Sequence, residues 1–243
     1  MTSRLRADRL LVERGLFDSR AGAQAAIAAG LVIADGVVVR KASAGIPVAA
    51  VLAAAPAHPF VSRGGLKLAA ALDHFGFDPE HRVCLDVGAS TGGFSDVLAS
   101  RGARRVYAVD VGRGQLHERL RACPRIISFE QTDIRLLDAA RLPEPPVLVV
   151  IDVSFVSLAK VLPAALGLAC RPALLVALIK PQFEAGRRWL KKGVVRDLGV
   201  RRDVCDVVAA TVGTLGWNVL GVIPSPVLGG EGNQEFLLGA ARD

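Results

Sequence analysis

The chain has 243 residues, room for one large domain or for a small and a medium one, and its 51% apolar content excludes wholesale disorder. A formal net charge of +7 points to an anionic partner, and nucleic acid and an anionic membrane surface both satisfy it. The four cysteines (Cys84, Cys123, Cys170, Cys205) form no C-x-x-C pair and the four histidines are scattered. Neither a disulfide framework nor a metal site is therefore expected, and the thiols fit a reducing cytoplasm.

Taken in chain order, the opening residues Arg4, Arg6, Asp8 and Arg9 precede no apolar run, unlike a secretory leader. Leu5, Leu10, Leu11 and Leu16 predict a first helix over residues 4–16, with Gly15 near its end. Ser19 reads as the N-cap of a second helix reaching about Ala29 and closed by Gly30. A hairpin follows, with Leu31-Val32-Ile33 and Val37-Val38-Val39 around a turn at Ala34-Asp35-Gly36. Residues 42–62 carry no charge, but Pro47, Pro56 and Pro59 would break a spanning helix, so the stretch reads as strand ends and linker. Residues 1–55 thus form a helix–helix–hairpin unit, too small for an enzyme, in which seven basic residues against four acidic ones leave +3.

The run Leu10 to Arg20, with Ala23-Gln24 and Ala29-Gly30-Leu31-Val32, resembles the S-four-type RNA-binding fold in its pattern G-L-x-x-S-R…A-x-x-x-x-I-x-x-G-x-V. The resemblance implies a small α+β RNA-binding domain over residues 1–59. Its arginines, Arg4, Arg6, Arg14 and Arg20, would contact phosphates without reading bases.

From about residue 60 strand-like runs alternate with helical stretches. The strands are expected at Val83–Val87, Arg105–Val109, Ile126–Phe129, Val147–Ile151, Ala173–Ile179, Asn218–Ile223 and Glu235–Leu238. That alternation implies an α/β fold with a mostly parallel sheet covered on both faces and a ligand crevice at the carboxyl ends of the strands. The first strand runs into Asp86-Val87-Gly88-Ala89-Ser90-Thr91-Gly92-Gly93-Phe94 and then a helix. Ser90 stands where a dinucleotide loop carries its second glycine, which disfavours a dehydrogenase.

The acid two residues before Gly88 and the Gly92-Gly93 pair resemble the methyltransferase form of this loop, in a Rossmann-like class I sheet. Asp110 ends the second strand, where a carboxylate accepts hydrogen bonds from ribose hydroxyls. Asp133 follows the third strand, where these methyltransferases hold an adenine amino group. The resemblance therefore assigns Asp86, Gly88, Ala89, Ser90, Gly92, Gly93 and Phe94 to S-adenosylmethionine, together with Asp110, Val111, Asp133 and Ile134.

Lys67, Asp152, Lys180 and Glu235 stand in V-S-R-G-G-x-K-L, I-D-V-S-F, I-K-P-Q-F-E and the segment Gly232–Phe236. Together they resemble the Lys-Asp-Lys-Glu set of FtsJ-type ribose 2′-O-methyltransferases. With the front unit, the resemblance narrows to the TlyA family of rRNA 2′-O-methyltransferases and covers residues 4 to 238. It implies methylation of a ribose 2′-hydroxyl, of a cytidine, in ribosomal RNA. Lys180 is the candidate base, Asp152 its orienter, and Lys67 with Glu235 holds the ribose; exchanged roles for the two lysines stay open. The front unit is shorter in basic residues than in some relatives and the tail ends soon after Glu235, so the ribosomal subunit methylated stays open too.

Residues 180–202 hold eight basic residues against two acidic ones, a net +6 beside the candidate base. Arg187, Arg188, Lys191 and Lys192, with Arg63 near Lys67, read as a phosphate-binding wall, and Trp189 as a stacking platform. Other readings are weighed against this one. A small-molecule methyltransferase has no use for the front unit, and a noncatalytic ribosome-binding protein has none for the quartet. A membrane-lytic reading, which the haemolysin label of the family suggests, lacks a long amphipathic basic helix. The expectation is a cytoplasmic enzyme whose partner is ribosomal RNA or a ribosomal subunit, with no membrane partner.

Overall fold

Arg4–Arg6 forms a strand, β1, and not the first turn of the helix that the leucine spacing predicts. The reason is tertiary: Leu5 pairs antiparallel with Ile46, and helix α1 begins only at Ala7, ending at Glu13. Leu16 lies beyond it and is exposed. The structure is a computed structural model that describes residues 3–243, and it divides into two compact units at Pro59/Phe60.

In the first unit Ser19 caps α2 (Arg20–Ala28) by accepting from the Gly22 amide at 3.2 Å. Strands β2 (Val32–Ala34) and β3 (Val37–Val38) meet across a two-residue turn, Asp35-Gly36, with φ of 49° and 81°. Two positive φ values in a row are the geometry that favours Asp-Gly here. The uncharged stretch read as strand ends and linker holds two further strands, β4 (Gly45–Pro47), which pairs with β1, and β5 (Leu52–Ala54), which pairs with β2. Both are short, and their partners are remote in sequence. Leu10, Leu11, Ala23, Ile27, Val32 and Ile46 make the core. Asp8 is fully buried beside them and accepts hydrogen bonds from Arg6, Arg20 and Gln24.

The second unit continues with α3 (Gly64–Phe75), β6 (Val83–Val87), α4 (Gly93–Ser100), β7 (Arg105–Val109), α5 (Glu118–Arg121), β8 (Ile126–Phe129) and β9 (Leu148–Ile151). Then come α6 (Leu158–Gly167), β10 (Ala173–Ile179), α7 (Pro181–Glu184), β11 (Leu190–Lys191), β12 (Val194–Val195), α8 (Leu198–Thr214), β13 (Asn218–Pro224) and β14 (Phe236–Arg242). Seven strands form one sheet in the order β13-β14-β10-β9-β6-β7-β8. β14 runs antiparallel to both of its neighbours, and the ladders from β10 through β8 are parallel.

Residues of β6 alternate between two cores. Val83, Leu85 and Val87 pack with Leu162 of α6 and Val208 of α8, while Cys84 packs with Leu68 of α3 and Leu98 of α4. Helices therefore cover both faces, which is why the strands read as unbroken apolar runs. The chain leaves β6 toward β7 and β8 and returns to β9 on the other side. That reversal opens a crevice at the carboxyl ends of β6 and β9.

Candidate active site

The loop after β6 passes flush against the end of β9. Gly88 has φ +85°, and a Cβ there would fall 2.5 Å from the carbonyl oxygen of Asp152, so glycine is required. Asp110, directly after β7, accepts from the amides of Ser90 (2.8 Å) and Gly112 (2.6 Å) and so clips this loop to the next strand. A cavity of about 500 Å³ opens between them, lined by Asp110, Val111, Asp133, Ile134, Val153 and Phe155 among others. Asp133 accepts from the Arg135 amide at 2.9 Å and from its guanidinium, which holds the carboxyl below the usual range.

A second, more polar cavity of about 280 Å³ shares Gly88, Ser90, Asp152 and Ser154 with the first. Its further lining includes Arg63, Lys67, Ala89, Gly93, Phe94, Lys180 and Gly229. Lys180, at the end of β10, places Nζ 2.6 Å from Asp152 Oδ1 and donates to Ser154 Oγ at 2.8 Å. Lys67, on α3, donates to Glu235 Oε2 at 2.5 Å, and Gln182 Nε2 donates to the other oxygen of Glu235 at 3.4 Å. The quartet is thus two lysine–carboxylate pairs, both lysines facing one cavity. Glu235 is buried behind Lys67, and its carboxylate lies where a Cβ on Gly229 would be.

Two of the residues assigned to the cofactor line neither cavity. Gly92 is the N-cap of α4, with Leu116 and Leu120 against its α-carbon, so its glycine serves helix packing. Asp86 is wholly buried beneath the loop, where Ser95 Oγ donates to Oδ2 at 2.6 Å and Oδ1 has no hydrogen-bond partner among the described residues. Burial pushes its carboxyl up to about 7, against the Ser95 hydrogen bond and helped by Asp152 and Asp110.

After α7 the basic segment forms a turn at Arg187–Trp189 and then the hairpin β11–β12, whose tip is Lys192-Gly193. Buried Asn233 anchors it, accepting from Val195 N (3.2 Å) and donating to the carbonyls of Gly193 (2.9 Å) and Gly230 (3.0 Å). Arg187, Arg188, Lys191 and Lys192 are exposed, and Arg188 lies over the Trp189 ring at 5.3 Å. Arg63 is exposed at the polar cavity. In the first unit, Arg4 and Arg14 donate to the carbonyls of Gly45 and Val48, while Arg6 and Arg20 hold Asp8. Arg40 and Lys41 are exposed and join no ion pair among the described residues.

Sequence reasoning missed Ser154, Gly229 and Asn233, whose roles depend on strand ends and loops that meet only in space. Arg40 and Lys41 stood in the charge count without a role. Among the described residues no three metal-binding side chains cluster, and no helix is long and apolar enough to cross a membrane.

Residues 60–242 match the family model of FtsJ-like methyltransferases. The 16S/23S rRNA (cytidine-2′-O)-methyltransferase TlyA of Mycobacterium tuberculosis is 44% identical over 241 residues, covering 98% of this chain and 90% of the relative. A solved structure from Streptococcus thermophilus, carrying a provisional hemolysin name, is 39% identical with a TM-score of 0.78, covering 100% of this chain and 90% of that one. A SAM dependent methyltransferase from Aquifex aeolicus shares the fold at 18% identity and a TM-score of 0.54, covering 76% of this chain and 94% of its own.

Proposed function

The chain belongs to the FtsJ-like methyltransferase family, and from that premise we propose that it moves a methyl group from S-adenosylmethionine to the 2′-hydroxyl of a cytidine in ribosomal RNA. The observation that carries the reading is the polar cavity, where Lys180–Asp152 and Lys67–Glu235 stand beside an apolar cavity edged by carboxylates.

The larger cavity fits the cofactor. Gly88 lines it where the loop passes flush against β9, and Asp110 keeps lone pairs for a ribose diol after its two amide bonds. Val111 and Ile134 offer apolar walls to a purine, and Asp133 an acceptor for its amino group. When bound, adenosylmethionine supplies a methyl group on a sulfonium, already strongly electrophilic. What remains for the protein is to position a ribose and remove one proton. Asp152 and Ser154 hold Lys180 Nζ at the cavity, where in its neutral form it takes the 2′-hydroxyl proton and leaves the oxygen its electron pair. Lys67, fixed by Glu235, directs its remaining N–H donors at the ribose oxygens. Arg63 and the β11–β12 hairpin would contact phosphates, and the first unit, with its S-four-type pattern, would supply a second RNA surface.

The test uses ribosomal subunits and naked rRNA from cells lacking this gene, incubated with the protein and methyl-labelled adenosylmethionine. Label is expected as 2′-O-methylcytidine with the wild type and is expected to vanish with Lys180→Ala. Label in no RNA, despite cofactor binding, would sink the assignment and favour a small-molecule acceptor.

A further inference from the structure

We propose that Ser154 is a positioning residue for methyl transfer: its hydroxyl, together with Asp152, fixes the rotation of the Lys180 amine so that the nitrogen's free direction faces the polar cavity. The proposal rests on Lys180 being the base, as read above. A tetrahedral nitrogen has four directions. The side-chain stem takes one and the hydrogen bond to Ser154 Oγ at 2.8 Å takes a second, while Asp152 Oδ1 stands 2.6 Å away as an ion-pair partner outside hydrogen-bond geometry. A neutral amine has two hydrogens; one is committed to Ser154, and the lone pair shares the directions left with the other. Lys180 lines the polar cavity with 11% of its side chain exposed, so a substrate in that cavity can reach the nitrogen once the bond to Ser154 has fixed its rotation. With Asp152 alone, the amine would rotate about its last bond and the lone pair would sweep a circle.

The loop that carries the exposed Ser154 is held in place. The next residue, Phe155, has φ +64°, a costly conformation for an aromatic side chain that the surroundings must enforce. The Phe183 ring packs on Phe155 at 5.0 Å, and Glu184 fastens the same loop a few residues on. Its carboxylate accepts from Ser157 Oγ at 2.6 Å and from the Leu158 amide at 2.8 Å. Glu184 stands on α7, which begins directly after Lys180. One carboxylate therefore ties the loop bearing Ser154 to the segment bearing Lys180.

The experiment compares Ser154→Ala, Ser154→Thr and Lys180→Ala with the full-length wild type, using unmodified rRNA or subunits and labelled adenosylmethionine. Ser154→Ala is expected to lower kcat by about 10–100-fold, the scale of a misplaced catalytic group. The KM for RNA, the cofactor Kd and the melting temperature should stay unchanged, and Ser154→Thr, which keeps the hydroxyl, should restore most of kcat. A wild-type kcat in Ser154→Ala, or a loss confined to KM, overturns the proposal while an inactive Lys180→Ala leaves the base assignment standing. An active Lys180→Ala removes the base assignment itself, and the proposal with it.

Discussion

In the first unit four arginines close onto the protein: Arg4 and Arg14 on carbonyl oxygens, Arg6 and Arg20 on the buried carboxylate of Asp8. In the second unit the hairpin cations Arg187, Lys191 and Lys192 end in no ion pair among the described residues, and the exposed Arg188 lies on Trp189. Both regions are rich in cations, but a guanidinium already bonded builds the fold with part of its donors and keeps only the rest for a phosphate. The difference teaches that a charge count finds a basic region without telling which cations are open. Only the partner of each charge decides that.

The largest expected effect separates chemistry from binding. Lys180→Ala should lower kcat by about 10²–10⁴-fold with cofactor affinity intact, whereas Arg20→Gln should leave the chemical step alone. A kcat loss of that size in Arg20→Gln, under single-turnover conditions with saturating RNA, would break the contrast. Next comes Asp86, whose folded-state carboxyl is raised to about 7 by burial. Between about pH 4 and 7 the unfolded chain has lost this proton while the folded chain keeps it. Stability therefore falls as pH rises through that window, by roughly 4 kcal/mol in all, and the cost is complete above it. Asp86→Asn lacks this dependence, so thermal melts of both proteins at pH 5 and pH 8 should show the variant gaining on the wild type at the higher pH.

Asp8 carries the opposite sign. Hydrogen bonds from Arg6 first, then Arg20, hold its carboxyl far below the usual range. Its contribution is present above about pH 4 and is lost as pH falls through the lowered value. Asp8→Asn should destabilise the first unit by several degrees, about 5 °C per kcal/mol at this size, while calorimetry finds the second unit unchanged. The smallest effects sharpen the comparison most. Lys191→Gln and Lys192→Gln should each reduce the salt slope of RNA binding by about one with no change in melting. Lys41→Gln should do the same from the first unit, whereas Arg20→Gln should lower both the slope and the melting temperature.

Local chemistry made much of this legible. Ser19 caps its helix, Asp35-Gly36 makes the tight turn and the unbroken apolar runs from Val83 to Ile179 become buried parallel strands, each through forces that act within a few residues. What local signals left out has one shared reason. Arg4–Arg6 left the predicted helix because Gly45–Pro47 offered it a ladder. Within the stretch read as strand ends and linker, residues 45–47 and 52–54 became strands because partners some forty and twenty residues away completed them. At Gly92 a side chain would meet Leu116 and Leu120, a packing demand that the glycine loop does not show in sequence.

The sequence by itself determined which residue types stand at the ends of the strands: the glycine loop, Asp110, Asp133, Asp152 and Lys180, because strand ends follow from apolar runs. Tertiary structure alone decided how those ends meet. It paired Lys180 with Asp152 and Lys67 with Glu235, added Ser154 to the first pair and set Gly229 against the second. It also closed Arg4, Arg6, Arg14 and Arg20 on their own fold. Pairing of this kind depends on distances between segments up to 168 residues apart, and no periodicity or composition along a chain encodes such a distance.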